Sequence, residues 1–355
     1  MSFSRRSFFS LVAGAGGLSV LRAQVAGPAT PPLTFNRQPV PRSTVAIVKG
    51  EQRRQIVQDA LAAIDHQIRP ALKQKKYVVI KVNNVSTINQ LAATHADTIS
   101  GILDYLLPRV KMPVTIVESS AGDTMEGFRN FGYTKIADAN RNVSLVDLNA
   151  EAKYEVIPLI DYDLHLQPVR LAARLLDPDA FIICAGILKT HNTVVATLSV
   201  KNMVLGAPLH FAPKETPRWN DKRKYHTGIR QTHYNMLLTA QKLRPHWGVA
   251  LLDGFEGMEG NGPGSGTPVA SRIAIASTDF IAADRVGVES MGINPAWLGY
   301  LNYCGQLGLG NYDIAKIDVV GETIASVQKK YRMHQDIDRE LEWMGEMKDL
   351  PPKLG

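Results

Sequence analysis

Short apolar runs alternate along this chain with stretches of helical periodicity, and that alternation leaves few folds open. Residues 77–82 (YVVIKV), 180–185 (AFIICA) and 249–252 are almost wholly apolar, so they read as strands buried on both faces. Further strands are expected over 45–48, 114–117, 143–148, 272–277 and 317–320. Between them, Ile56, Ala60, Leu61, Ile64 and Ile68 fall on one helical face, as do Ile99, Ile102, Leu103 and Leu106. Ile229, His233, Leu237, Ala240 and Leu243 do the same. Helices are also predicted over 128–140 with a break at Gly132, over 192–205 with a stop at Gly206 and Pro208, and over 280–291. The predicted fold class is α/β: a mainly parallel sheet with helices on both faces. The chain of 355 residues has room for one large domain at 43–322, or for two lobes around a crevice with a boundary near 150–170. The stretch 323–355 is charged, helical in pattern and expected to be a peripheral tail.

The first residues read as a targeting segment and not as part of the fold. Ser4-Arg5-Arg6-Ser7-Phe8-Phe9 resembles a twin-arginine export signal. A weakly apolar stretch diluted by Gly14, Gly16 and Gly17 follows, then small residues from Ala23 where a peptidase can cut. Residues 1–23 are therefore expected to be an export signal, with the twin-arginine export machinery as partner and a periplasmic or extracellular bacterial location. Residues 24–42, with Pro28, Pro31, Pro32, Pro39 and Pro41, read as an extended linker. No membrane span is expected in the mature form.

Composition narrows the chemistry mainly by exclusion. Two cysteines, Cys184 and Cys304, are too few for an iron–sulfur cluster of the chain's own, which needs about four thiolates. The net charge of +7 comes from mixed acids and bases without a long basic run, so nucleic acid is not an expected partner. Gly260-Asn261-Gly262-Pro263-Gly264-Ser265-Gly266 is not a dinucleotide loop, because it runs toward a strand instead of opening a helix.

Polar residues gather at the ends of the buried runs, where ligand crevices form in open α/β sheets. Lys81, Asn83 and Asn84 close the YVVIKV run, and Lys81 is either a snorkelling edge residue or an anion contact. His95 and Asp97 follow, with Asp97 readable as a helix N-cap. Lys189 and His191 come just after AFIICAGI, a pair able to bind an anion and move a proton. Thr193, Thr197 and Lys201 would form one polar stripe on the helix predicted over 192–205, with Asn202 beside it. Asp253, Glu256, Glu259 and Asn261 lie on a glycine-rich stretch and can offer oxygen ligands to a divalent cation. Residues 214–233 hold Lys214, Arg218, Lys222, Arg223, Lys224, His226 and Arg230, which read either as a solvated insertion or as a basic lid.

Five of these segments, in order, resemble one family. YVVIKVNN, ILKTHNTVVATLSVKNMVLG, the KYH of 224–226, LLDGFEGMEGNGPGSGTPV and STDFIAADRVGVESMG, with Asp284 inside it, are similar to the signature of domain-of-unknown-function family 362. The resemblance covers about 43–322. It implies a crevice lined by Lys189, His191, Lys201 and His226. It also carries a distant likeness to nickel-pincer lactate racemases, in which histidines and a lysine act on a 2-hydroxy acid. Some members of the family bear an appended cysteine-rich ferredoxin segment, which is not expected here, where the cysteines are Cys184 and Cys304 alone.

The expected function is an exported protein acting on a small anionic, carboxylate-type molecule by lysine and histidine acid–base chemistry. His191, Lys189, Lys201 and His226 are the expected catalytic group. Lys81, Asn83, Asn202, Asp253, Glu259 and Asn261 are the expected cofactor- or ligand-binding group. The alternative is a non-catalytic binding or maturation protein for a metal or cofactor in the same crevice.

Overall fold

The computed structural model describes residues 40–210, 216 and 219–345. The expected export signal, most of the expected linker, Lys214 and Arg218 of the basic segment, and the end of the tail lie outside the described residues.

Twelve strands are present among the described residues: β1 (Ser43–Lys49), β2 (Tyr77–Lys81), β3 (Val114–Glu118), β4 (Val143–Asp147), β5 (Tyr154–Ile160), β6 (Leu166–Ala172), β7 (Ala180–His191), β8 (Val195–Thr197), β9 (Trp247–Glu259), β10 (Thr267–Val269), β11 (Ile273–Ser277) and β12 (Ile317–Gly321). Ten of them form one sheet whose main path runs β12-β1-β11-β9-β7-β2-β3-β4. Along that path every pairing is parallel except the two made by β11. The fold is α/β with a mostly parallel mixed sheet, as the alternating pattern predicts.

Side chains alternate between two cores because successive strand residues point to opposite faces. Val79, Val117, Ile182, Cys184, Leu252 and Ile275 pack on one side with the helices Ser199–Gly206, Ile229–Leu243 and Phe280–Ser290. Val78, Ile80, Ile116, Ile183, Leu251 and Ala274 pack on the other with Arg53–Ala63, Asp65–Leu72 and Ala96–Leu106. Burying one such aliphatic side chain stabilises by about 1.5–3 kcal/mol, so both faces must be covered.

Four sequence expectations change in the structure. The helix predicted over 192–205 begins only at Ser199, because 193–197 (TVVAT) turns back into β8, pairing Lys189 with Thr197 and His191 with Val195. Its β-branched residues favour a strand over a helix. Thr193, Thr197 and Lys201 therefore share no helical stripe. The supposed glycine-rich loop from Asp253 to Glu259 is mostly strand, paired to β11 at Asp253 and to β10 at Glu259. Residues 154–172 fold as a separate hairpin of β5 and β6, while strands on both sides of it in sequence join the same sheet. Finally, 323–345 holds a short helical turn at Ile324–Val327, then irregular chain, then two contiguous turns at Ile337–Glu340 and Leu341–Met344. It buries Tyr331, His334 and Glu340, and the Glu340 carboxylate accepts from the Val195 N–H at 2.9 Å.

Candidate functional site

A cavity of about 550 Å³ opens where β2 and β3 end and β7 runs on past them. That is the carboxyl end of parallel strands, where such sheets leave a crevice. Its lining residues include Asn83, Glu118, His191, Lys201, Asn202, Lys222, Arg223, His226 and Pro263.

The floor is a closed polar network. Lys81 is fully buried on the face it shares with Val79, and its ammonium sits 2.8 Å from Glu118 Oε1. It also donates to the Val82 carbonyl at 2.6 Å and to Asn202 Oδ1 at 3.2 Å. Glu118 is saturated in turn, since its oxygens accept from the backbone N–H of Asn84 (2.9 Å) and of Ser119 (2.8 Å). Asn202 Oδ1 accepts a further bond from Asn83 Nδ2 at 2.9 Å, and Asn83 Oδ1 accepts from Lys189 at 2.6 Å. Lys189 also donates to the Ala92 carbonyl at 3.1 Å. These bonds fix which way both amides face. Gly206 closes the network from the helix above, where an added Cβ would fall 2.3 Å from Lys81 Nζ. A buried ion pair is tolerated only when its remaining donors and acceptors are met in this way.

The wall is different. Lys201, only 5% exposed, lines the cavity and has no hydrogen-bond acceptor or ion-pair partner among the described residues. Burial, and then the charges of Lys189 and Lys222, push its ammonium far below the usual lysine range. Lys222 donates to Ser119 Oγ and to the Leu205 carbonyl, both at 2.8 Å, and burial moves it down to about 7. Burial does the same to Lys189, also to about 7. His191 Nδ1 accepts from the Thr193 N–H at 3.0 Å, so a neutral His191 carries its proton on Nε2. Its imidazolium is disfavoured by burial and by the neighbouring Lys201, His226 and Lys189. The His226 ring stacks on His191 with centroids 6.3 Å apart at the cavity mouth, and burial, then the charges of Lys201 and Lys222, bring its pKa down to about 4. His226 is solvent-accessible, so burial acts on it less than on His191.

The helix Ser199–Gly206 brings Lys201 and Asn202 to the cavity, and its start is held from the other end by Asp284. That fully buried carboxylate accepts from the Ser199 and Val200 N–H groups, both at 2.9 Å, and from Ser199 Oγ at 2.5 Å. Burial raises its pKa to about 7.

The structure therefore gathers His191, Lys201 and His226 on the wall, with Asn83 and Asn202 at the border of the floor. Lys81 and Lys189 lie beneath. Asp253, Glu259 and Asn261 stand apart. Asp253 faces the opposite side of the sheet, accepting from Thr98 Oγ1 at 2.5 Å and the Phe255 N–H at 2.9 Å, with Arg53 at 3.3 Å. Glu259 accepts from the Arg332 N–H at 2.8 Å, and Asn261 bonds Gln335 at 3.2 Å. Among the described residues no group of three or more His, Cys, Asp or Glu converges as a metal cage. The glycine-rich segment contributes Pro263 to the lining instead, packed so closely that a Cβ on Gly262 would meet the Thr190 carbonyl at 2.0 Å. His95, not Asp97, caps the helix Ala96–Leu106, accepting the Asp97 N–H at 3.1 Å. Sequence reasoning missed Glu118 and Ser119, and gave Asp284 no task. Glu118 closes the apolar run VTIV as Lys81 closes its own, a signal open to the same reading.

The family described as Domain of unknown function (DUF362) matches residues 78–289, more than half of the chain, from β2 through the Asp284 helix. The chain belongs to that family. Every residue of the floor and wall named above falls within the DUF362 span. No curated protein matches the chain. A crystal structure of a protein from Thermotoga maritima, a structural-genomics target, is similar at 10% identity over 62% of this chain, with a TM-score of 0.42. This DUF362 chain spans 55% of that protein's length.

Proposed function

We propose that the cavity binds a small carboxylate-bearing anion and exchanges a proton on it. One observation supports this above the others: Glu118 is the sole carboxylate among the described lining residues, and it is already consumed by Lys81 and two backbone donors. The buried Lys201 and half-buried Lys222, with the exposed Arg223 at the edge, then line the cavity without a further carboxylate, a charge that an anion would supply. In this reading Lys222 and Arg223 hold the carboxylate toward the mouth and Lys201 meets the ligand deeper in. His191 and His226 are the proton carriers, the first as an Nε2–H donor and the second as a base that solvent can reach. Lys189 acts through Asn83 as a positioning residue.

The test has two readouts. Calorimetric titration with malonate and lactate is expected to show saturable binding that weakens with salt and is lost in Lys222→Met. No saturable binding, or binding unchanged in that variant, contradicts the reading. Incubation with lactate in D₂O is then expected to exchange the Cα hydrogen in the wild type and not in His191→Gln. Binding without exchange would favour a carrier over an enzyme.

The Arg5-Arg6 pair supports action outside the cytoplasm after export by the twin-arginine machinery. Replacing both with Lys is expected to retain the protein in the cytoplasm, and undiminished export would refute the assignment.

A further inference from the structure

Lys201 is placed where a lysine has the least reason to be charged. It is the third residue of the helix Ser199–Gly206, so the positive end of the helix dipole lies beside it, the wrong end for a cation. It is buried, it lines the cavity, and no acceptor among the described residues receives it. Two further amines, Lys189 and Lys222, lie close enough to repel its charge, and both are tied into hydrogen bonds that Lys201 lacks. An amine desolvated next to other cationic groups is an activated nucleophile toward carbonyl carbon. Two imidazoles, His191 and His226, share the same cavity.

We propose that Lys201 forms an imine with a 2-oxo acid. The inference rests on the anion-binding reading, because the carboxylate on Lys222 and Arg223 is what brings the adjacent carbonyl to Lys201. The Nζ lone pair attacks the carbonyl carbon, a C–N bond forms, and the carbonyl π pair moves onto oxygen. That oxygen takes a proton as the nitrogen loses one, with His226 carrying the exchange and His191 Nε2–H donating to the oxygen. The hydroxyl then leaves as water with a second proton while nitrogen closes the C=N bond. Both amine protons end on the departing water, and no oxidant or reductant is consumed. Lys81 does not compete for the carbonyl, since its ammonium is held by Glu118, Asn202 and the Val82 carbonyl.

The experiment treats the full chain with pyruvate or with 2-oxoglutarate, adds sodium borohydride, and reads intact mass and a peptide map. One adduct is expected, with the mass of the acid less one oxygen atom and mapped to Lys201. It should be lost in Lys201→Arg, whose guanidinium stays protonated and is no nucleophile, and reduced by excess malonate. Lys201→Met serves as a second variant, and a melting curve on each shows that it is folded. No adduct with either acid, labelling spread over surface lysines as in the urea-unfolded chain, or an adduct that survives Lys201→Arg overturns the proposal. If malonate still binds while no imine is trapped, the anion-binding reading stands and the imine alone fails.

Discussion

Two buried lysines, Lys81 in the floor of the cavity and Lys201 in its wall, are built on opposite principles. Lys81 has a carboxylate at 2.8 Å, a carbonyl at 2.6 Å and an amide oxygen at 3.2 Å, so all three ammonium hydrogens are spoken for. Lys201 has no acceptor among the described residues. The floor is complete in itself, and taking a part from it harms the fold. The wall is incomplete, and in the proposed reading an anionic ligand completes it. Burial of a polar group costs free energy unless it is partnered, so an unpartnered amine persists only where something outweighs that cost.

The same substitution at the two sites separates them. Lys81→Met leaves Glu118 charged and buried, and is expected to lower stability by about 3–5 kcal/mol in urea denaturation. A loss below about 1 kcal/mol would mean that the floor is not a closed unit. Next in size is Asp284→Ala, which strips three bonds from the start of the helix that carries Lys201. It should cost about 2 kcal/mol and also weaken malonate binding, although Asp284 is not among the lining residues.

A pH series sharpens the contrast. Lys189 is held down to about 7 by burial, against an unfolded value of about 10.4. Between those values the unfolded chain takes up a proton that the folded chain does not. Stability should therefore rise with pH from about 7 to about 10, and the penalty should be fully expressed below pH 7. Lys189→Met should flatten that slope by about 1 kcal/mol per pH unit, measured by denaturation at several pH values. An unchanged slope would show that Lys189 is charged in its bonds to Asn83 and Ala92. The smallest effect belongs to Lys201→Met: without ligand it should leave stability unchanged or raise it by up to about 1 kcal/mol.

Much of this was legible in the sequence, and the failures have physical causes. The apolar runs located the sheet because strands covered on both faces can hardly be anything else. They also located Lys81 and Lys189. What a run cannot show is the face that its last residue occupies. Lys81 and Asp253 look alike, each closing an apolar run, yet Lys81 shares the face of Val79 and the cavity while Asp253 shares that of Val249 and Leu251 and meets Arg53 and Thr98. The continuation of β7 through Lys189, Thr190 and His191 was hidden because polar residues read as a loop. Their burial comes from distant partners such as Asn83, Gly260 and the Ala92 carbonyl. The turn back at 193–197 did leave a local signal, the β-branched residues, which the helical spacing of Thr193, Thr197 and Lys201 overrode. Lys222 and Arg223 were visible only as part of a basic segment, and their place on the wall depends on long-range packing.

The most direct test is a side-by-side melt of wild type, Lys81→Met and Lys201→Met at pH 7, with and without saturating malonate. The expected result is a large fall in melting temperature for Lys81→Met with the malonate shift retained, and no fall for Lys201→Met with the shift greatly reduced. If Lys201→Met instead melts as low as Lys81→Met and still responds fully to malonate, then Lys201 is a structural residue and the cavity wall is not waiting for an anion.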